Sequence, residues 1–167
     1  MSKKSGVSTQ ATSVKKIYVA TDHTAYALKK KLIAHYTKQH ITCIDCGPTQ
    51  KKSDDDYVDY ALKLCKRMHT KRNIKHIKQT NFASLGVLIC GTGIGMSIAA
   101  NKCDGVRAAR ICSKKDVQLA VQHNHANVIT FGVCDLSKAI RYIDTFIATQ
   151  PNMDARHVRR VNKVNAL

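Results

Sequence analysis

The chain has 167 residues, 44% of them hydrophobic, which suits one domain able to bury a core of its own. Its 28 lysines and arginines face 11 acidic residues, all aspartate, for a formal charge of +17, so anionic partners are expected. No apolar run approaches the roughly 20 residues that would cross a bilayer, and an odd set of seven cysteines without metal-like spacing or a secretory signal points to free thiols in a reducing, cytoplasmic compartment.

Residues 1–14, rich in Ser, Thr and Lys, read as a disordered basic tail. Lys16 to Ala20 reads as a strand. A helix from Thr24 to Gln39 follows, with Ala25, Leu28, Leu32, Ile33 and Tyr36 at helical spacing and lysines opposite. A second strand, Ile41 to Cys46, closes at Gly47-Pro48, and a polar loop leads to a helix from about Tyr57 to Met68. Val87 to Cys90 is a third strand, apolar on both faces, with a helix from Gly95. Val106 to Cys112 is the fourth, followed by a helix from Ser113 with Asp116 at the N3 position of a capping box. The fifth strand is Asn127 to Phe131, and a helix from Leu136 to Thr149 stops before Pro151. Parallel neighbours require crossover connections. The alternation therefore predicts an α/β domain over 15–150, a three-layer α/β/α, doubly wound, five-stranded parallel sheet, with 151–167 as a C-terminal segment.

Sheets of this kind bind ligands outside the carboxyl ends of their strands. Three segments fall there: Thr21-Asp22-His23, Cys90 to Gly95, and the loop Asp54 to Tyr57. Gly91-Thr92-Gly93-Ile94-Gly95 is not a dinucleotide fingerprint, because Met96 stands where the spacing needs glycine, and no Gly-Lys-Ser/Thr follows for a nucleotide P-loop. What remains is a turn of N–H donors suited to a phosphate or a developing oxyanion. Cys90 at its mouth reads either as a small core residue or as a stabilised thiolate, a base or nucleophile.

Asp22-His23 suits proton transfer or phosphate binding, or else Asp22 or Thr24 caps the next helix. His123-Asn124-His125 sits at a helix end as a dipole-matched cap and lacks partners for a metal. Cys43 and Cys46 lie within one strand and point to opposite faces, which argues against redox or zinc roles. Asp54, Asp55 and Asp56 could chelate magnesium or simply cap the next helix, and no metal is expected. Arg156 and Arg160, one helical turn apart, aim at a phosphate or a neighbouring subunit, or form a solvated tail. Seventeen basic residues precede residue 80 without Trp or interleaved aromatics, so nucleic acid is not expected as the primary partner.

From about Lys16 to Val161 these pieces together resemble type B ribose-5-phosphate isomerase, related to the galactose-6-phosphate isomerase subunits. The likeness is carried by Asp22-His23, GVLICGTGIGMSIAANK over 86–102, Val106-Arg107-Ala108, Gln122-His123-Asn124, Asn127 to Gly132, Arg156-His157 and Arg160. It implies a flavodoxin-like, Rossmann-like fold and a cofactor-free aldose–ketose isomerase of the pentose phosphate pathway, interconverting ribose 5-phosphate and ribulose 5-phosphate. It also implies active sites shared across a homodimer or a dimer of dimers.

By the same resemblance Cys90 is the base that moves a proton between C1 and C2. Thr92 and the amides of Gly91, Gly93, Ile94 and Gly95 hold the enediolate. His123, from the neighbouring subunit, opens the furanose ring with help from Asp22. His23, Arg156 and Arg160 clamp the phosphate, and Tyr57 and Asn124 line the sugar pocket. Some branches carry a carboxylate base at the position of Ile94, which leaves Cys90 as the base here. Cys134 stands where many relatives have an arginine, Asp56-Tyr57-Val58 replaces Asp-Tyr-Pro, and Lys71 to Asn81 is longer and more basic. Alternatives are a six-carbon substrate such as allose or galactose 6-phosphate, or a polyanion-binding module on an inactive scaffold. The intact run from Ser97 to Lys102 favours the ribose branch.

Overall fold

The computed structural model describes residue 14, residues 16–68 and residues 84–167. The remainder of the basic tail and the insertion at 71–81 lie outside the described residues. Five strands form one parallel sheet: β1 (Lys16–Thr21), β2 (Thr42–Asp45), β3 (Ser84–Cys90), β4 (Ala108–Arg110) and β5 (Val128–Gly132). Between and after them run α1 (Tyr26–Lys38), α2 (Tyr57–Arg67), α3 (Ile94–Ala100), α4 (Lys114–Asn124), α5 (Leu136–Ala148) and α6 (Ala155–Val164).

The period-2 alternation of the strands divides the core in two. Ile17, Val19, Val87, Ile89, Ile129 and Phe131 face one way, onto Leu32 and Tyr36 of α1, Val117 and Val121 of α4, and Ile143 and Phe146 of α5. Tyr18, Ala20, Leu88, Cys90 and Val128 face the other way, onto Leu64 and Cys65 of α2 and Met96 and Ala100 of α3. The sheet is thus sandwiched between helices, as the alternation predicts. Cys43 and Cys46 join opposite clusters, which bears out their opposed directions.

The strand order is β2-β1-β3-β5-β4. The first three follow the flavodoxin-like order, and the last two are exchanged, so that β5 separates β4 from the rest. The chain winds outward from β1 to β2 and then returns to lay β3 on the other side of β1. The crevice of the resulting switch point therefore opens at the carboxyl ends of β1 and β3.

Local chemistry sets several boundaries. Asp22 first caps a short 3-10 turn over His23–Ala25, so α1 starts two residues later than its periodicity suggests. Strand β4 shrinks to three residues because side chains take the backbone donors at its ends. Asn127 accepts from Arg107 N–H at 2.9 Å, and the Asp116 carboxylate accepts from Cys112 and Ser113 N–H at 2.9 Å each. The Ser113 contact belongs to the predicted capping box, which forms in full. Lys29 departs from the expected solvent-facing lysines of α1: it is 1% exposed, with Nζ donating to Asp45 at 2.9 Å and to the Pro48 carbonyl at 2.6 Å. The C-terminal segment forms a helix of its own, α6, packed on α4.

Candidate active site

At the carboxyl edge β3 ends at Cys90, whose buried sulfur accepts the Gly93 N–H at 3.2 Å. That contact requires a left-handed residue at position 93, where φ is +78°. A Cβ there would also lie 2.7 Å from the Phe131 backbone, so torsion and packing both demand glycine. At Gly95 a Cβ would come within 2.5 Å of the Tyr57 ring, which places that ring directly over the first turn of α3. Only Gly91 faces open space. The glycines at 93 and 95 thus serve the packing of the turn.

Thr92 is exposed, and its Oγ1 accepts the Ile94 N–H at 3.2 Å, leaving the hydroxyl hydrogen free to donate outward. With seven residues α3 has little macrodipole. The anion-holding capacity of this turn lies in individual donors, the hydroxyl and the first-turn N–H groups that have no helical acceptor.

Beside it, β1 delivers Asp22 and His23. Asp22 is buried and accepts from Thr24 N–H at 3.0 Å and from the Thr24 hydroxyl, so it is the helix cap. Its own N–H donates to Ile89 at 3.3 Å, which fastens the end of β1 to β3 one residue before Cys90. His23 is held by Asp55: the carboxylate accepts the backbone N–H at 3.1 Å and lies 2.5 Å from Nδ1. Nδ1 therefore carries the proton shared with Asp55, and Nε2 lies outside that bond. Asp56 caps α2 through Val58 N–H at 2.9 Å and so sets Tyr57 at the mouth of the crevice. Two of the three aspartates are thus placed, Asp55 as the histidine's partner and Asp56 as the cap.

The other predicted residues occupy the amino edge. Helix α4 runs back along the sheet and ends with His123 and Asn124 before β5 begins. The His123 ring stacks on His157 at 4.5 Å and 12°. His157 accepts from Arg156 Nε at 3.2 Å, and desolvation followed by the Arg156 charge holds its pKa below the ordinary 6.5. Asn124 and Arg160 line a cleft of about 240 Å³ with Asn101, Arg107 and Val161.

The frame beneath is buried. His125 caps α4 at φ +50°, and its Nε2 bonds the Asn152 carbonyl at 2.8 Å. Arg107 donates to the His125 carbonyl and to Asn165 Oδ1, each at 2.9 Å, and burial lowers its pKa to about 10. These contacts tie α6 to the end of α4.

The two groups stand at opposite ends of the sheet. Cys90 pairs with Gly132 and Gly86 pairs with Val128, so β5 alone separates their levels by ~13 Å. One edge collects Asp22, His23, Tyr57, Cys90 and the turn from Gly91 to Gly95. The opposite edge collects His123, Asn124, Arg156 and Arg160. Sequence reasoning missed Asp55 as the partner of His23, although its place in the crevice loop was a signal. It also missed Arg110, a lone cation at the end of a strand beside the glycine turn.

The profile of the Ribose/Galactose Isomerase family matches residues 17–164. The chain belongs to this family. It is 40% identical over 152 residues to a Mycoplasma pneumoniae protein named "Probable ribose-5-phosphate isomerase B", covering 90% of this chain and 93% of that one. A solved structure of ribose 5-phosphate isomerase B from Anaplasma phagocytophilum is similar with a TM-score of 0.78 at 34% identity, over 93% of this chain and 99% of that one. The Mycoplasma genitalium isomerase B, solved with bound ribulose-5-phosphate, is similar with a TM-score of 0.76 at 36% identity, over 90% and 93%. Isomerases of this family thus share the fold described above. Among the described residues no helix is long and apolar enough to cross a membrane, and no cluster of three or more His, Cys or Asp side chains could hold a metal ion.

Proposed function

We propose that this protein is an aldose–ketose isomerase that interconverts D-ribose 5-phosphate and D-ribulose 5-phosphate through an enediolate, without a cofactor, in the pentose phosphate pathway. The observation that carries the reading is a thiol at the end of β3, inside a turn of N–H and hydroxyl donors, in a member of this isomerase family. The ribulose-5-phosphate in the Mycoplasma genitalium relative favours a five-carbon substrate over a six-carbon one.

In the open-chain aldose, the Cys90 thiolate takes the proton from C2. The C–H electron pair becomes the C1–C2 double bond, and negative charge moves to O1. The thiol then returns that proton to C1 while the O2 proton passes to O1, so that O2 becomes the carbonyl, O1 the hydroxyl, and the thiolate is restored. The Thr92 hydroxyl and the amides of the turn not already held by Cys90 and Thr92 stabilise the oxyanion, each donor contributing about 3 kcal/mol in such sites. His123 exchanges the proton that opens the furanose ring. Asp22 shapes this corner through its cap on Thr24. His23, oriented by Asp55, joins Arg156 and Arg160 on the phosphate, and Tyr57 and Asn124 bound the sugar.

Because the two sets of residues lie at opposite edges of one sheet, the complete site takes the carboxyl edge of one copy and the amino edge of a second, in a homodimer or a dimer of dimers. The segment 151–167 then serves the neighbour's site. Ile94 and Ile98, 50% and 61% exposed on one face of α3 beside the turn, supply apolar surface for that contact. The seven unpaired cysteines suit a reducing cytoplasm.

The test is turnover of ribose 5-phosphate together with exchange of its C2 proton in deuterated water, with six-carbon phosphates assayed in parallel. Cys90→Ala should abolish both for the pentose. Near wild-type exchange in that variant would remove Cys90 from the base role, and salt-sensitive duplex binding without any turnover would favour a polyanion-binding scaffold instead.

A further inference from the structure

Arg110 ends β4 at the carboxyl edge and is exposed, yet its guanidinium is held in place. Nε donates to the Thr92 carbonyl at 3.2 Å, and Nη1 donates to Cys112 Sγ at 2.7 Å. The Thr92 carbonyl belongs to the same peptide group as the Gly93 N–H, which donates to Cys90 Sγ at 3.2 Å. A trans peptide is planar, with C=O and N–H pointing in opposite directions. Fixing the carbonyl on Arg110 therefore fixes the N–H on the thiol. On the far side, Gly93 packs so close to the Phe131 backbone that no side chain fits there.

A cation on the carbonyl also polarises the peptide, which makes its N–H a stronger donor to sulfur. Asp116 feels the Arg110 charge, but its Oδ2 accepts from the N–H groups of Cys112 and Ser113.

We propose that Arg110 is a positioning residue that stabilises the Cys90 thiolate through the Thr92–Gly93 peptide group, an inference that rests on the reading of Cys90 as the base. It touches neither substrate nor the reacting atoms. The line of contacts from guanidinium to carbonyl to amide to sulfur makes β4, an edge strand, part of the catalytic turn.

The experiment compares wild type, Arg110→Met and Arg110→Lys. Alkylation of each cysteine by iodoacetamide at pH 7 is followed peptide by peptide, alongside kcat and KM for ribose 5-phosphate. Cys43, on β2 at the opposite side of the sheet, reports on the fold. In Arg110→Met the Cys90 alkylation rate should fall about three- to tenfold, with kcat falling in step and KM unchanged. Arg110→Lys should recover part of both. A wild-type Cys90 rate in Arg110→Met would overturn the proposal, as would a raised KM with kcat and alkylation unaltered, which would make Arg110 a direct substrate contact. Slowed alkylation with undiminished turnover would leave Arg110 in its role and remove Cys90 from the base role.

Discussion

The two edges of the sheet are built on different terms. At the carboxyl edge the four groups nearest the chemistry each have a hydrogen-bond partner within the crevice: Cys90 on Gly93, Thr92 on Ile94, Asp22 on Thr24, His23 on Asp55. At the amino edge the frame is tied down through His125 and Arg107, while the groups facing outward are cations and a ring that is only stacked. Proton transfer at carbon depends on hydrogen-bond-scale placement, and capture of a dianionic phosphate relies on charge, which reaches further and forgives more. The difference in construction matches the proposed placement of proton transfer at carbon on one edge and of ring opening and the two phosphate arginines on the other.

The strongest way to break this comparison is to inactivate each edge separately. Cys90→Ala and His123→Asn should each lower kcat by about 10²- to 10⁴-fold. Refolding the two variants together in equal amounts should restore about a quarter of wild-type activity, because half the dimers are mixed and each mixed dimer holds one intact site. No recovery would mean that both edges act within one chain.

Gly93→Ala should cost about 2–4 kcal/mol in urea unfolding, since a Cβ meets rigid backbone at a left-handed torsion. Gly95→Ala should be milder in stability, because the exposed Tyr57 ring can swing aside, and should register in KM. Asp55→Ala frees His23 without touching Cys90. It should raise KM about tenfold, with kcat within about twofold, a split that would place His23 in binding.

The smallest effect is on pH. Burial holds the His125 pKa below its ordinary 6.5. The unfolded chain therefore takes up that proton first, and the associated stability is complete above pH 6.5 and is lost as pH falls. The slope from one such group is at most about 1.4 kcal/mol per pH unit, and His125→Gln should flatten urea midpoints measured between pH 7 and pH 5.

The alternation of strands and helices, the two-sided core of β3 and the Ser113 capping box were all legible in the sequence, because period and capping are local properties. The exchange of β4 and β5 was not, since nothing along either strand records its neighbour. Nor was the burial of Lys29, which depends on Asp45 and the Pro48 carbonyl arriving from another element. Within the site, the thiol and its turn could be read directly. The Asp55–His23 pair and the Arg110–Thr92 contact could not, because each joins residues from separate loops that only the folded sheet brings together.

The strand order also governs when the fold can close. Strand β4 leaves synthesis before β5, yet β5 is its only neighbour in the sheet. A nascent chain that has not reached Val128 carries β3 with one open edge and β4 with no ladder to join. Both are exposed templates for mispairing until residues 128–132 arrive. The last strand to emerge is inserted between two that have waited for it, so the sheet is completed by an internal strand.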